Sequence, residues 1–433
     1  MLNYAKPFIL YPLAEMYLGR DIRSKVKALK QLEALTPAER ATRQQKRLAE
    51  IVSLAGTCVP YYRDLFKSIG FDPARLERST QYLQEIPLLT KDILREQGVR
   101  MLNENMREAD LHRRRTNGST GLVTTVWYDQ EALDWTAAVS ILASEQAGQA
   151  KTRRSVLLTS RFFERLPVRE AFVERVRSWA LNRTTISVLS LNTSGLRDIL
   201  KQLRAVRPFS VQGHPSSLYF LALHAKENLE NVRDIFEVFE STGESLDRSK
   251  AEMIKQTFGC RISNRYGNAE FGIVALSKST IDELEIIDDV VYPESHSLGN
   301  GLEELILTGL MNSAMPLVRY RTGDIGEVDA VGGKQYIRRL TGRVHDIVEI
   351  NGQRYPTHLI GDFLDRIGGV DEFQIIQSVD GTVLKVVPNS QFDAVVAKQK
   401  IQDRFSELRL EMTTFDGLVL QGWRDKFRYL VRI

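Results

Sequence analysis

The sequence predicts an α/β fold: a large N-terminal multilayer α/β domain on a mostly parallel sheet, followed by a small α+β domain. Three observations carry this expectation. Strand-like and helix-like segments alternate five times between residues 124 and 258, as they do where crossover helices join parallel strands. After about residue 300 the texture turns to antiparallel β, with Asn351-Gly352 and Asp380-Gly381 as hairpin turns between apolar runs. The chain's 433 residues also exceed one ordinary core, so two or three domains are expected. The boundary falls at Thr341-Gly342-Arg343, which gives domains 1–341 and 342–433.

At the N-terminus, Phe8 to Leu18 is apolar but short, and Pro12 and Glu15 interrupt it. It is not a transmembrane segment and lacks a signal-peptide cleavage site; it lies on a membrane surface or packs on the body, and packing is the expectation. Residues 21–55 show helical spacing, with Thr36-Pro37 as N-cap and first helical position. A helical region with two proline breaks, at Pro60 and Pro87, continues to Thr90, another N-cap. Then come strand 124–128 and helix 130–147, strand 154–159 and helix 163–181, and strand 185–190 and a helix capped by Ser194. Strand 209–212 and a helix opened by Pro215 are next, then strand 235–240 and a helix from Asp247 to Phe258. In the C-terminal segment, helices at 356–367 and 391–408 complete a βαββα unit.

Composition narrows the function. Hydrophobic residues make up 43% and charged residues 26%, the values of a soluble globular protein. A net charge of +4 gives no argument for nucleic acid. Two cysteines, Cys58 and Cys260, exclude a disulfide framework and a multi-cysteine metal site, and fit a cytoplasmic location. The six histidines show no ligand spacing of the HExxH kind.

Four stretches carry candidate chemistry. Arg113-Arg114-Arg115 precedes Thr116-Asn117-Gly118-Ser119-Thr120-Gly121, a run of small and turn-forming residues. Glycine backbone and hydroxyls form a concave anion nest suited to nucleotide phosphates; alone, the run is equally an ordinary polar turn. Asn264-Arg265-Tyr266-Gly267-Asn268-Ala269-Glu270 ends a strand in a turn bearing a carboxylate, which reads as a Mg²⁺ ligand or as a solvated Glu. Tyr320-Arg321-Thr322-Gly323-Asp324 places an Asp where it can accept ribose hydroxyls, or where a β-turn commonly has one. Thr341-Gly342-Arg343-Val344-His345-Asp346 offers Arg343 to phosphate or ribose, and also opens a hairpin.

Their order, with Lys426 near the C-terminus, resembles the adenylate-forming superfamily of acyl-CoA synthetases, luciferases and peptide-synthetase adenylation domains. Val59-Pro60-Tyr61-Tyr62-Arg63, Pro87-Leu88-Leu89-Thr90-Lys91 and Gly213-His214-Pro215-Ser216 are similar to turns of its phenylacetate–CoA ligase-like branch. The resemblance implies that Ser119, Thr120 and Gly121, with Thr116, cover the β- and γ-phosphates of ATP. It implies that Gly243 and Glu244 line the adenine site, with Tyr266 stacked near adenine beside Gly267. Glu270 becomes the Mg²⁺ ligand, Asp324 the partner of both ribose hydroxyls, and Arg343 the arginine near them. Lys426 becomes the lysine that swings in for adenylation, on a mobile small domain hinged near His345. His345 itself departs from the family, which commonly has Asp or Lys there. His214, Phe239, Ser241 and Phe271 are candidates to line the acid pocket.

The implied activity is ATP-dependent conversion of a carboxylic acid, aryl by analogy, to an acyl-adenylate, then transfer to CoA. Transfer to an amine, a hydroxyl or a carrier-protein thiol shares the first half. CoA use predicts a basic groove, for which Arg165, Arg169, Arg175 and Arg177 are candidates or else a solvated face. A decayed nucleotide-binding regulatory protein is the non-enzymatic alternative, against which Glu270, Asp324, Arg343 and Lys426 stand intact.

Overall fold

The structure, a computed structural model, describes residues 8, 11–116, 124–159, 175–176, 178–179, 181–188, 193–278, 280–299, 301–343, 347–421 and 426–433. For a few of these, among them Thr116, Arg343 and Lys426, the backbone alone is described. The chain divides into two compact units, the larger running to Arg339 and the smaller built on Leu340–Ile433.

The larger unit opens with helices α1 (Tyr11–Tyr17), α2 (Ile22–Leu32), α3 (Pro37–Cys58), α4 (Pro60–Ile69) and α5 (Lys91–Gln97). Helix α3 starts at a capping box: Glu39 N–H donates to Thr36 Oγ1 at 3.4 Å, and Thr36 N–H donates back to Glu39 Oε2 at 2.8 Å. Proline at its first position sets α4 off as a new helix, and Gly70 ends it at φ 64°. Apolar faces of these helices (Leu48, Val52, Tyr62, Phe66) share one core with Val126, Tyr128, Leu317 and Tyr320. Leu89 ties in by a parallel bridge to Tyr320, its N–H donating to Arg319 O at 2.9 Å. Tyr62 accepts from Val318 N–H at 2.9 Å. The N-terminal helices are thereby packed against the strands that carry the candidate motifs.

Strands β1 (His112–Thr116) and β2 (Thr124–Tyr128) form an antiparallel pair, Thr116 opposite Thr124. Helix α6 (Gln130–Gln146) comes next, capped by Asp129, which accepts from Ala132 N–H at 2.7 Å. After it lie β3 (Ser155–Thr159), β4 (Arg183–Ser187), α7 (Thr193–Val206), β5 (Ser210–Gly213), α8 (Pro215–Glu227), β6 (Val238–Ser241) and α9 (Arg248–Phe258). The sheet continues through β7 (Arg261–Asn268), β8 (Gly272–Ser277), β9 (Leu284–Ile286), β10 (Val291–Gly299), β11 (Leu302–Gly309), β12 (Tyr320–Val331) and β13 (Lys334–Arg343).

Eleven strands form one sheet in the order β10-β11-β12-β13-β9-β8-β7-β6-β5-β3-β4. The run β4-β3-β5-β6-β7 is parallel, as the strand–helix alternation predicts. Beyond β7 the pairing reverses, with β8 antiparallel to β7 and β9 antiparallel to β8. The sheet is therefore mixed, and its antiparallel part begins at Gly272, earlier than the change of texture near residue 300 suggests. The reason is local: the turn between β7 and β8 is too short for a crossover helix, so β8 returns beside β7.

A buried ion pair stands at this reversal. Arg265 on β7 pairs with Glu240 on β6, and Ser144 Oγ on α6 bridges them at 2.9 Å and 3.1 Å. Burial lowers the Arg265 guanidinium to about 10, so it stays charged at neutral pH.

The smaller unit contains β14 (Ile347–Ile350), β15 (Gln353–Pro356), α10 (Thr357–Ile367), β16 (Val370–Ser378), β17 (Gly381–Pro388), α11 (Ala394–Arg404), β18 (Leu408–Met412), β19 (Leu420–Gln421), β20 (Lys426–Phe427) and β21 (Leu430–Arg432). Asn351 and Gly352 turn the β14–β15 hairpin with φ of 53° and 69°, the left-handed pair that a two-residue hairpin loop requires. The four-stranded sheet runs β18-β17-β16-β21. Its core comprises Ile360, Leu364, Phe373, Ile375, Leu384, Ile401 and Leu430, among others.

The seam and the two thiols can each be probed directly. Glu240→Ala leaves Arg265 charged and unpaired in the interior, and a loss of about 3–5 kcal/mol in denaturant unfolding is expected; a midpoint equal to wild type would show that the pair does not hold the seam. Burial pushes the Cys260 thiol up to about 12, while Cys58 is partly exposed. Iodoacetamide at mildly alkaline pH is expected to label Cys58 in the native protein and Cys260 only after unfolding, as peptide mass mapping would reveal.

Candidate active site

Glu270 lies in the turn between β7 and β8, and three side chains fix that turn. Asn268 Oδ1 accepts from Phe271 N–H at 2.9 Å, closing it. The hydroxyl of Tyr128, at the end of β2, lies 2.7 Å from Ala269 O and 2.6 Å from Glu270 O. Tyr320, at the start of β12, donates its hydroxyl to Glu270 Oε1 at 2.7 Å. Backbone and carboxylate of one residue are thus held from two strands remote in sequence. Burial pushes the Tyr128 phenol up, with Arg114 over its ring at 4.6 Å working the other way. The phenol remains a protonated donor. Phe271 meets Tyr320 edge to face, ring centroids 5.9 Å apart.

Glu270 is buried, yet its Oε2 takes no hydrogen bond from the described residues. This is the donor set of a Mg²⁺ site of low protein content: one hard carboxylate oxygen, with substrate and water supplying the rest. No group of three or more His, Cys, Asp or Glu among the described residues could hold a metal by itself. The residues fit a shared Mg²⁺ and do not fit an all-protein cage.

Gly267 precedes this turn at a bulge in the β7–β8 pairing. A Cβ there would lie 2.4 Å from Gly272 O, so glycine is required by backbone approach. Tyr266 beside it is buried.

The ends of β5 and β6 form a second cluster. His214 Nδ1 is 3.0 Å from Thr242 O. Gly243 has φ 83°, and a Cβ there would lie 2.6 Å from His214 Cε1. Glu244 Oε2 accepts from Ser216 N–H at 3.2 Å, meeting an unsatisfied donor in the first turn of α8. Glu244 therefore has a structural task in addition to any lining role. On β12, Asp324 and Thr322 are buried, Thr322 Oγ1 donates to Leu305 O at 2.8 Å, and Arg321 bonds Glu304 at 2.6 Å.

Two of the pocket candidates are buried in this structure. Phe239 is fully buried, and Ser241 exposes nothing either. Every residue of β6 is buried because both faces of this central strand are covered. Neither side chain lines an open pocket, whereas His214 and Phe271 keep some exposure. Ser241 Oγ has no hydrogen-bond partner among the described residues.

Ser119, Thr120 and Gly121 lie outside the described residues, as do His345, Arg165, Arg169 and Arg177. Arg175 is exposed. Thr116, Arg343 and Lys426 are placed by backbone only, on β1, β13 and β20, where Lys426 pairs with Gln421. Sequence reasoning missed the two tyrosines that hold Glu270. Tyr320 had a signal, as first residue of the YRTGD stretch. Tyr128 had none beyond its place in an apolar strand.

No protein-family model matches the chain. It is 25% identical over 398 residues to a phenylacetate–coenzyme A ligase of Thermus thermophilus, covering 87% of this chain and 88% of that one. It is 23% identical over 376 residues to the protein CapK of Staphylococcus aureus, covering 84% and 82%. Among solved structures, a 2-hydroxyisobutyryl-CoA ligase in complex with R3-HIB-AMP superposes with a TM-score of 0.72 at 18% identity, over 92% of this chain and 90% of that one. Over most of its length the chain is thus similar to a phenylacetate–coenzyme A ligase and to CapK, and it shares the fold of a CoA ligase.

The Tyr320–Glu270 bond is measurable through stability. In a double-mutant cycle of Tyr320→Phe and Glu270→Gln, a coupling of about 1.5–3 kcal/mol is expected for a hydrogen bond to a charged group. Additive effects would show that the two side chains do not act on each other.

Proposed function

We propose that this protein activates a carboxylic acid with ATP and passes the acyl group to CoA. A carboxylate oxygen of the acid attacks the α-phosphorus, and pyrophosphate leaves. The CoA sulfur, as thiolate, then attacks the acyl carbon of the mixed anhydride, and AMP leaves. The observation that carries the reading is Glu270: a buried carboxylate with one oxygen anchored by Tyr320 and the other unengaged by the described residues, in a fold that CoA ligases share.

The first step joins two anions, so its barrier is mainly electrostatic and positional. Glu270 would hold Mg²⁺, which supplies charge neutralisation at the phosphates when bound. Tyr128 and Tyr320 keep the carboxylate from turning away. Asp324 receives the ribose hydroxyls, Gly243 and Tyr266 border adenine, and Ser119, Thr120 and Gly121 cover the outer phosphates. Lys426 brings positive charge to adenylation. The acid is aryl by analogy with the phenylacetate–coenzyme A ligase relatives, and the reaction belongs in the cytoplasm. No helix among the described residues is long and apolar enough to cross a membrane.

The test is acid-dependent ATP–pyrophosphate exchange across a panel of aryl and alkyl acids. Exchange with one class is expected. Asp324→Asn and Lys426→Ala should lower it by about 10²–10³-fold, the loss typical of removing one positioned charge contact. With CoA added, acyl-thioester and AMP should accumulate together. Exchange that persists while CoA is ignored and an amine is acylated would replace the acceptor; no exchange with any acid would remove the reading.

A further inference from the structure

Three arginines lead into the run that starts at Thr116, and the reaction proposed above gives none of them a task. Along a strand, successive side chains point to opposite faces. On β1, Arg114 lies opposite Val126 and Arg113 opposite Trp127. Val126 and Tyr128 are buried and Trp127 is not, so Arg114 stands on the inward face of the hairpin and Arg113 on the outward one. The two guanidinium groups follow that division. Arg113 is exposed, 5.2 Å over the Trp127 ring. Arg114 is partly buried, 4.6 Å over the Tyr128 ring.

An arginine on an inward face is ordinarily matched by a carboxylate, because a charge taken from water is costly when alone. Arg114 forms no ion pair with the described residues. It lies instead against the phenol that reaches Glu270, since the Tyr128 hydroxyl is 2.6 Å from Glu270 O. Burial pushes that phenol up, Arg114 draws it down and the Glu270 charge pushes it up again. Both charges are therefore felt at one hydroxyl, yet they do not pair with each other. Glu270 engages Tyr320 through Oε1 at 2.7 Å, and Oε2 takes no hydrogen bond from the described residues.

A carboxylate oxygen and a guanidinium held near each other, but apart, suit a ligand that carries both a cation and an anion. A metal-bound polyphosphate is such a ligand. The hard oxygen suits the metal, and the guanidinium fork suits phosphate oxygens.

We propose that Arg114 binds the polyphosphate of ATP beside Glu270. The inference rests on the ATP reading above and adds a protein cation to it. Thr116–Gly121, expected to cover the outer phosphates, holds no lysine or arginine of its own, and Arg114 comes two residues before it. Tyr128 serves both charges: its hydroxyl meets the turn of Glu270, and its ring is the shelf on which the guanidinium rests.

The test is calorimetric titration of the full chain with ATP and with AMP, Mg²⁺ present, which requires no knowledge of the acid or the acyl acceptor. Arg114→Gln removes the charge and keeps a planar head. It is expected to weaken ATP by about 10- to 100-fold and AMP by less than about two-fold. Arg114→Lys keeps the charge without the fork and should recover part of the loss. Arg113→Gln, on the opposite face, should bind both nucleotides as wild type does. The inference fails, and Arg114 serves the hairpin alone, if Arg114→Gln binds ATP as wild type does or loses ATP and AMP alike. It fails equally if Arg113→Gln loses as much ATP affinity, which would make the effect one of net charge. The ATP reading survives each of these results. A wild-type protein that does not bind ATP would remove that reading and the inference with it.

Discussion

Strand β7 is the constraint on which the rest of the larger unit depends. It is parallel to β6 on one side and antiparallel to β8 on the other. A strand in that position must satisfy two different ladders, and it must end in a turn tight enough for β8 to return. The Arg265–Glu240 pair lies across the parallel side, with Ser144 completing it. On the antiparallel side, Gly267 lets the backbone of Gly272 approach at a distance no side chain tolerates. An ion pair in a dry interior adds little net stability over an apolar pair. It does punish misalignment, because any slip between β6 and β7 strands a charge. Our reading is that this pair is retained for register.

Register matters here because the candidate site residues sit on the turns at the strand ends. The turns after β5, β6 and β7 carry His214, Gly243-Glu244 and Glu270 in succession, and adjacent strands bring them to one edge. In parallel sheets ligands gather at the carboxyl ends of the strands for this reason. The antiparallel arm contributes differently. It brings Tyr320 of β12 back against Glu270, while the N-terminal helices secure Tyr320 through Leu89 and Tyr62. The helices before β1 thus hold a side chain in place more than two hundred residues later in the chain.

How much of this is legible in the sequence depends on how local each signal is. The capping box at Thr36–Glu39, the Asn351-Gly352 turn and the strand–helix alternation are set by neighbours, and the structure has them. Glu270, Asp324 and Gly267 could be singled out as candidates only through the order of their motifs, since a glycine or an acid at a strand end is also common in ordinary turns. For Phe239 and Ser241 the sequence could not separate two roles, because one apolar-polar alternation serves both a pocket wall and a strand buried on both faces. The switch to antiparallel pairing at β8 was legible only in part, since periodicity gives strands but not their direction. Tyr128 and Tyr320 could not be paired from sequence at all: their meeting at Glu270 is a product of tertiary folding.

The two tyrosines also explain why the carboxylate can be both buried and available. A single hydroxyl donor engages Oε1 and leaves Oε2 uncommitted among the described residues. Had an arginine held Glu270, its bidentate fork would have occupied both oxygens, as Arg43 does with Asp289 elsewhere in this unit. A phenol is the weaker partner, and that is its value here. It orients the carboxylate through one oxygen and leaves the other for the cation that the proposed function requires.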